Sequence, residues 1–146
     1  MKKLFSVMVI GSVLSLLISG TARAQLPGTV LRASIPFDFI VRGRTLPAGT
    51  YEIGRISDEP SGLMIRNVVH SRDEAIFETE PAYVPRTPGK DELMFHRYGD
   101  SYFLSEVLTA GEQTGRELVP SHAERQLRRE MASNQVEPET VTVAIN

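Results

Sequence analysis

Residues 35–56, IPFDFIVRGRTLPAGTYEIGRI, constrain the fold more than any other stretch. Phe37, Phe39 and Val41 alternate with Asp38, Ile40 and Arg42. That is the two-residue repeat of a strand with one wholly apolar face. Pro36 has no amide proton, so it suits a strand start or edge. Gly43 permits a tight bend, and Leu46-Pro47-Ala48-Gly49 adds a turn signal of the type II kind. Tyr51 and Ile53 then share one face of a second strand, with Thr50 and Glu52 on the other. The stretch predicts two strands joined by a Gly- and Pro-punctuated connection. An isolated hairpin is marginal in water, so further strands must cover its apolar face.

The rest of the chain supplies them. Val30–Ile35, Leu63–Val69, Glu74–Thr79 and Arg116–Val119 read as short strands between polar turns. Leu93–Leu108 reads as a hairpin centred on Gly99-Asp100, a pair favoured in two-residue connections. Its expected register sets Phe95 against Leu104, Leu93 against Glu106, His96 against Phe103 and Tyr98 against Ser101. Residues 80–90 hold Pro81, Pro85 and Pro88, which predicts a loop or an irregular edge. Residues 121–132 form the one convincing helix of the mature chain. Ser121 and Glu124 fit a capping box, Ala123, Leu127 and Met131 make a narrow apolar stripe, and Glu124 with Arg128 is a favourable i,i+4 pair. The expected fold is all-β: a small antiparallel sandwich or partly closed barrel of about seven strands with one C-terminal helix.

Four blocks, IPFDFIV, LPAGTYEI, FHRYGDSYFLSEV (95–107) and SHAERQL (121–127), carry a resemblance. In order and spacing they resemble a family of small exported bacterial proteins of uncharacterised function. The resemblance spans most of the chain after the leader and implies one folded unit. It implies no catalytic residues.

Residues 1–24 read as a cleaved signal peptide. Lys2 and Lys3 precede an apolar run, and Ala22-Arg23-Ala24 places the cut before Gln25. The apolar run is shorter than the ~20 residues of a membrane span, so no stable span is expected after cleavage. The remaining residues divide into a β domain over 25–132, including the helix, and an extended tail over 133–146. VTVAI in that tail is a candidate edge strand. An exported location, periplasmic or extracellular, follows. The chain has no Cys, so neither a disulfide nor a thiol nucleophile is available. Removal of the leader leaves 13 basic residues against 18 acidic ones, a net charge of −5. An acidic protein is a poor general partner for nucleic acid.

Chemistry-bearing patterns are sparse. His70, His96 and His122 have no metal-type spacing, and no cofactor fingerprint occurs. Ser105, His96 and Asp100 offer the composition of a hydrolytic triad without a nucleophile elbow. Arg97, Tyr98, Asp100 and Tyr102 form the densest polar-aromatic cluster and a candidate recognition tip. The plainer reading of that cluster is an Arg97–Asp100 turn bond with Tyr102 packed across the strands. The best functional expectation is an exported, non-enzymatic binding or structural module with a protein or cell-envelope partner. The alternative is a carrier whose barrel mouth, lined by Phe37, Phe39, Tyr51, Phe95 and Phe103, holds a small apolar ligand. A hydrolase is third.

Overall fold

A computed structural model describes residues 30–145. The expected leader, with Ala22, Ala24 and Gln25, lies outside the described residues. Ten strands and one helix follow in order: β1 (Leu31–Ile35), β2 (Phe39–Val41), β3 (Arg44–Leu46), β4 (Gly49–Arg55), β5 (Gly62–Asn67), β6 (Glu74–Tyr83), β7 (Glu92–Tyr98), β8 (Ser101–Leu108), β9 (Thr114–Leu118), α1 (His122–Ser133) and β10 (Glu139–Ala144). The protein is mostly β, sandwich-like, and its sheet is not closed.

One layer has the order β1-β4-β5-β6, all antiparallel. The long strand β6 then leaves it. Its first half pairs β5 and its second half pairs β9, and β9 continues through β8 and β7 to β10. Strand β3 pairs only β2, and the margins β1 and β10 meet at an isolated Ala33–Ile145 bridge. Among the described residues, no helix is long and apolar enough to cross a membrane.

The organising stretch folds differently from the expected hairpin. Strand β4 pairs β1, and β2 pairs β3 through a two-residue turn at Arg42-Gly43. Both turn residues have positive φ, 52° and 85°, as a type I′ turn requires. Pro36 and Pro47 flank this β2–β3 unit where the chain leaves one layer and returns to it. Asp38 Oδ1 accepts from the Ala48 amide at 2.9 Å and ties the two crossings together. Strand β2 also meets β8 in parallel at Ile40–Phe103, so the second layer is mixed rather than purely antiparallel.

Two other expectations are corrected. Residues 80–83 are regular strand despite Pro81, which pairs Arg116. The Thr79 amide donates towards β5 and the Val84 amide towards β9, so odd residues of β6 face the β5 side and even ones the β9 side. Strand β5 pairs no farther along β6 than Glu78. The missing amide of Pro81 therefore falls where no neighbouring strand needs it. In the β7–β8 hairpin, Phe95–Leu104, His96–Phe103 and Tyr98–Ser101 pair as expected, but Leu93 opposes Val107, not Glu106. A bulge after Leu104 shifts the register by one residue. It turns both Leu104 and Val107 into the core and spares Leu93 a carboxylate partner. Ser105 fills the bulge, its hydroxyl donating to Met94 O at 2.9 Å.

Alternation holds elsewhere. Ala33 and Ile35, Tyr51 and Ile53, and Ala75 and Phe77 point inward, and all are buried. An aromatic chain runs through the interior. Tyr51 meets Phe39 at 5.1 Å, Phe39 meets Phe95 at 5.6 Å and Phe95 meets Phe37 at 5.2 Å, all edge-to-face. Such pairs add about 0.5–1.5 kcal/mol each beyond the area they bury.

Candidate functional site at the beta7–beta8 hairpin and helix alpha1

The hairpin carries polar side chains on both of its faces, and strand alternation sorts them. Arg97 and Tyr102 pair across the strands on the inward side at the end of the sheet. The Arg97 guanidinium lies 5.4 Å from the Tyr102 ring centre, and Tyr102 stacks on Phe37 at 4.0 Å. Tyr98 lies on the outward side, and Asp100 is exposed in the turn. The four residues of the expected recognition tip therefore divide: Arg97 and Tyr102 stay together, and Tyr98 and Asp100 do not join them. Arg97 Nε donates to Gly99 O at 2.8 Å, and Nη1 donates to Glu139 at 3.1 Å. These two acceptors take the place of Asp100. Gly99, with φ 61°, begins the two-residue turn.

The expected ligand-lining aromatics divide as well. Phe39, Tyr51 and Phe95 are fully buried and fill the interior rather than a mouth. Phe37 is half-buried at the end of the chain of rings. Phe103 is on the outer face, edge-on to Tyr98 at 5.5 Å.

Helix α1 is held over that outer face chiefly by charge and hydrogen bonds. Its one buried residue is Glu124, 4% exposed. Ala123 of the expected apolar stripe is exposed, and Leu127 and Met131 are half-buried. Half of the capping box forms, with Ser121 Oγ accepting from the Glu124 amide at 3.2 Å. The Glu124 carboxylate turns towards the sheet, where Oε1 accepts from His96 Nδ1 at 3.2 Å and from Tyr98 OH at 3.4 Å. The helix N-terminus favours an anion at this position. Arg128, one turn on, donates from Nε to Tyr98 OH at 3.3 Å. That bond holds the Arg128 guanidinium above its ordinary value, and burial pushes the Tyr98 phenol up. Arg128 Nη2 approaches His96 Nδ1 at 3.5 Å. Because that nitrogen donates to Glu124, the approach is a contact and not a second hydrogen bond.

Two more carboxylates lie on the neighbouring strands. Glu106 of β8 and Glu117 of β9 are directly opposed. Burial, and then the Glu117 charge, raise the Glu106 carboxyl above the usual carboxylate range. Like charges opposite one another destabilise a sheet. Sequence spacing gave no sign of this grouping, because its members come from β7, β8, β9 and α1. The Glu-Arg i,i+4 pair was its one visible part.

The arrangement orients and anchors helix α1 on the sheet. Ser105 is bonded to Met94 O, His96 to Glu124, and Asp100 lies in the exposed turn, so the three triad-type residues each have other surroundings. Among the described residues, no group of three or more His, Asp or Glu stands in a metal-binding arrangement. No family model, no curated protein and no solved structure matches the chain.

Proposed function

We propose that the protein is an exported binding or structural module of the cell envelope that works through its outer surface. The observation that carries this reading is the filled interior. Phe39, Tyr51 and Phe95, the residues a carrier would use to line a cavity, pack edge-to-face against one another and are fully buried. Chemistry available to a partner is therefore external. The leader-like first 24 residues and the resemblance to small exported bacterial proteins support the location. A helix anchored by a polar cluster gives the β7–β8 surface a defined shape for a protein partner.

Native mass spectrometry of the protein purified from the periplasm tests the reading. The expected mass is that of residues 25–146, bare or as an integer multiple, or with a co-purifying protein. A small constant increment would indicate a carried ligand and overturn it. Recovery of the uncut chain in the cytosol would overturn the location.

A further inference from the structure

The outer edge of β10 is open and carries no unpaired charge. Ile145 N donates to Asp91 O at 2.8 Å, in the register that sets Glu139 against Arg97 and Ala144 against Glu92. Odd residues of β10 therefore turn their peptide groups to β7, and the N–H and C=O of Thr140 and Thr142 point away from it. Among the described residues, no strand pairs β10 on that side over Glu139–Val143. The open window has two ends. Pro138, next in the even set, has no N–H to offer. At the other end β1 stands against Ile145 through the Ala33–Ile145 bridge. Thr140 and Thr142 are exposed on the outer face, and Val141 and Val143 are half-buried against the core. The one charge on the strand, Glu139, is paired with Arg97 at 3.1 Å. Other margins carry charge that guards them: Arg32 on β1, Arg44 on β3, and Glu74 and Glu78 on the first half of β6.

We propose that β10 pairs with β10 of a second copy of this chain, antiparallel about a two-fold axis at Val141. The window is its own complement. With the axis there, Thr140 opposes Thr142 of the second copy and Thr142 opposes Thr140 of the second copy. Each pair exchanges two hydrogen bonds, so four bonds use every open group of the two windows and leave none over. A second copy thus matches the window in length, and the pair closes without offering an edge to a third copy. Val141 meets its own counterpart at the axis and continues the half-buried apolar row from one copy to the next. The threonines meet on the outer face, where Thr–Thr pairs are favourable. Charge permits this junction: Glu139 falls opposite Val143 of the second copy, and no carboxylate opposes another. The same operation about Ile76 of β6 would set Glu74 against Glu78. The window is short, so the association is weak and depends on concentration. This pairing goes beyond the module reading and stands or falls without it.

The test is sedimentation and amide exchange of the protein purified from the periplasm, from about 10 µM to about 1 mM. The mean mass is expected to rise from monomer towards dimer over that range and no further. The Thr142 amide is expected to exchange quickly when dilute and to slow as the dimer fills, while the Val143 amide, bonded to β7, stays protected throughout. Thr140→Lys/Thr142→Lys sets lysine against lysine across the axis and is expected to weaken self-association by about tenfold or more. Thr140→Glu/Thr142→Glu is expected to do the same. A 1:1 mixture of the two variants is expected to dimerise again, because each lysine then opposes a glutamate. Recovery in the mixture also shows that both variants are folded; if either fails to fold, exchange of the parent at Thr142 decides. A parent that stays monomeric at about 1 mM, a charged variant that dimerises like the parent, or a mixture that stays monomeric would each overturn the pairing. Protection of Thr142 at every dilution, with a co-purifying polypeptide in the native mass, would assign the edge to another protein and overturn it too.

Discussion

Glu124 of α1 accepts a hydrogen bond from His96 of β7 at 3.2 Å, and this carboxylate is the one residue that the helix buries. A twelve-residue helix is marginal alone, so what it docks with decides whether it persists. Removing the carboxylate leaves His96 and Tyr98 without their shared acceptor. Glu124→Ala is expected to cost about 1–3 kcal/mol in urea unfolding and to speed amide exchange across residues 122–133. Arg129→Ala, on the exposed side, serves as the comparison. Equal effects of the two substitutions would show that the carboxylate does not anchor the helix.

Glu106 contributes a pH dependence of definite sign. Its folded value lies above the ordinary 4.5 because burial and the opposing Glu117 disfavour the charge. The stabilisation of its neutral form is fully present below the unfolded value and is lost as pH rises through the folded one. Glu106→Gln should therefore stabilise the protein at pH 7, because the neutral amide avoids both the cost of burying a charge and the opposing Glu117 carboxylate. The advantage should vanish below about pH 4.5. Melting curves of both proteins at the two pH values check it; an advantage that grows in acid would contradict the assignment.

Arg42 has φ 52° at the first central position of the β2–β3 turn. Side chains other than Gly, Asn and Asp are disfavoured there by about 1–2 kcal/mol. Arg42→Asn is expected to raise the melting temperature by several degrees, since 1 kcal/mol corresponds to about 4–8 °C in a domain of this size. Arg42 Nη1 also donates to Val119 O at 3.5 Å, so an unchanged or lower melting temperature would show that this contact offsets the backbone cost.

Pro81 and Glu80 occupy the same strand with opposite backbone demands. The Glu80 amide lies in the β9 ladder, and the Pro81 nitrogen faces the vacated side. Pro81→Thr should change stability by no more than about 0.5 kcal/mol. Glu80→Pro should cost on the order of 1–3 kcal/mol through the lost ladder bond. Chemical unfolding of the two variants separates them, and the reverse order would reject the strand's facing.

Phe95 joins the middle of the aromatic chain, touching Phe37 and Phe39. Phe95→Ala should cost about 3–5 kcal/mol and shift the unfolding midpoint accordingly. Phe37→Ala, at the half-buried end, should cost less. Near-neutral behaviour of Phe95→Ala would mean that the interior is not close-packed.

Local pattern alone determined much of this protein. Alternation grouped Phe39 with Val41 and Tyr51 with Ile53, and all four are buried, because successive strand side chains must point to opposite faces. Gly43 and Gly99 marked the tight turns, and Ser121 marked the helix start, because each position demands a particular backbone geometry or cap. Tertiary structure decided who stands beside whom. Strand β4 pairs β1 because the chain crosses between layers at Pro36 and Pro47, and no local repeat encodes that crossing. The bulge at Ser105 answers a conflict between Leu93 and Glu106 that exists only once the two strands pair. The same holds for Glu124, whose spacing signalled a cap but whose carboxylate turns to His96 and Tyr98. A buried charge seeks the donors that the completed fold brings near it, and those donors lie 26 and 28 residues away in the chain.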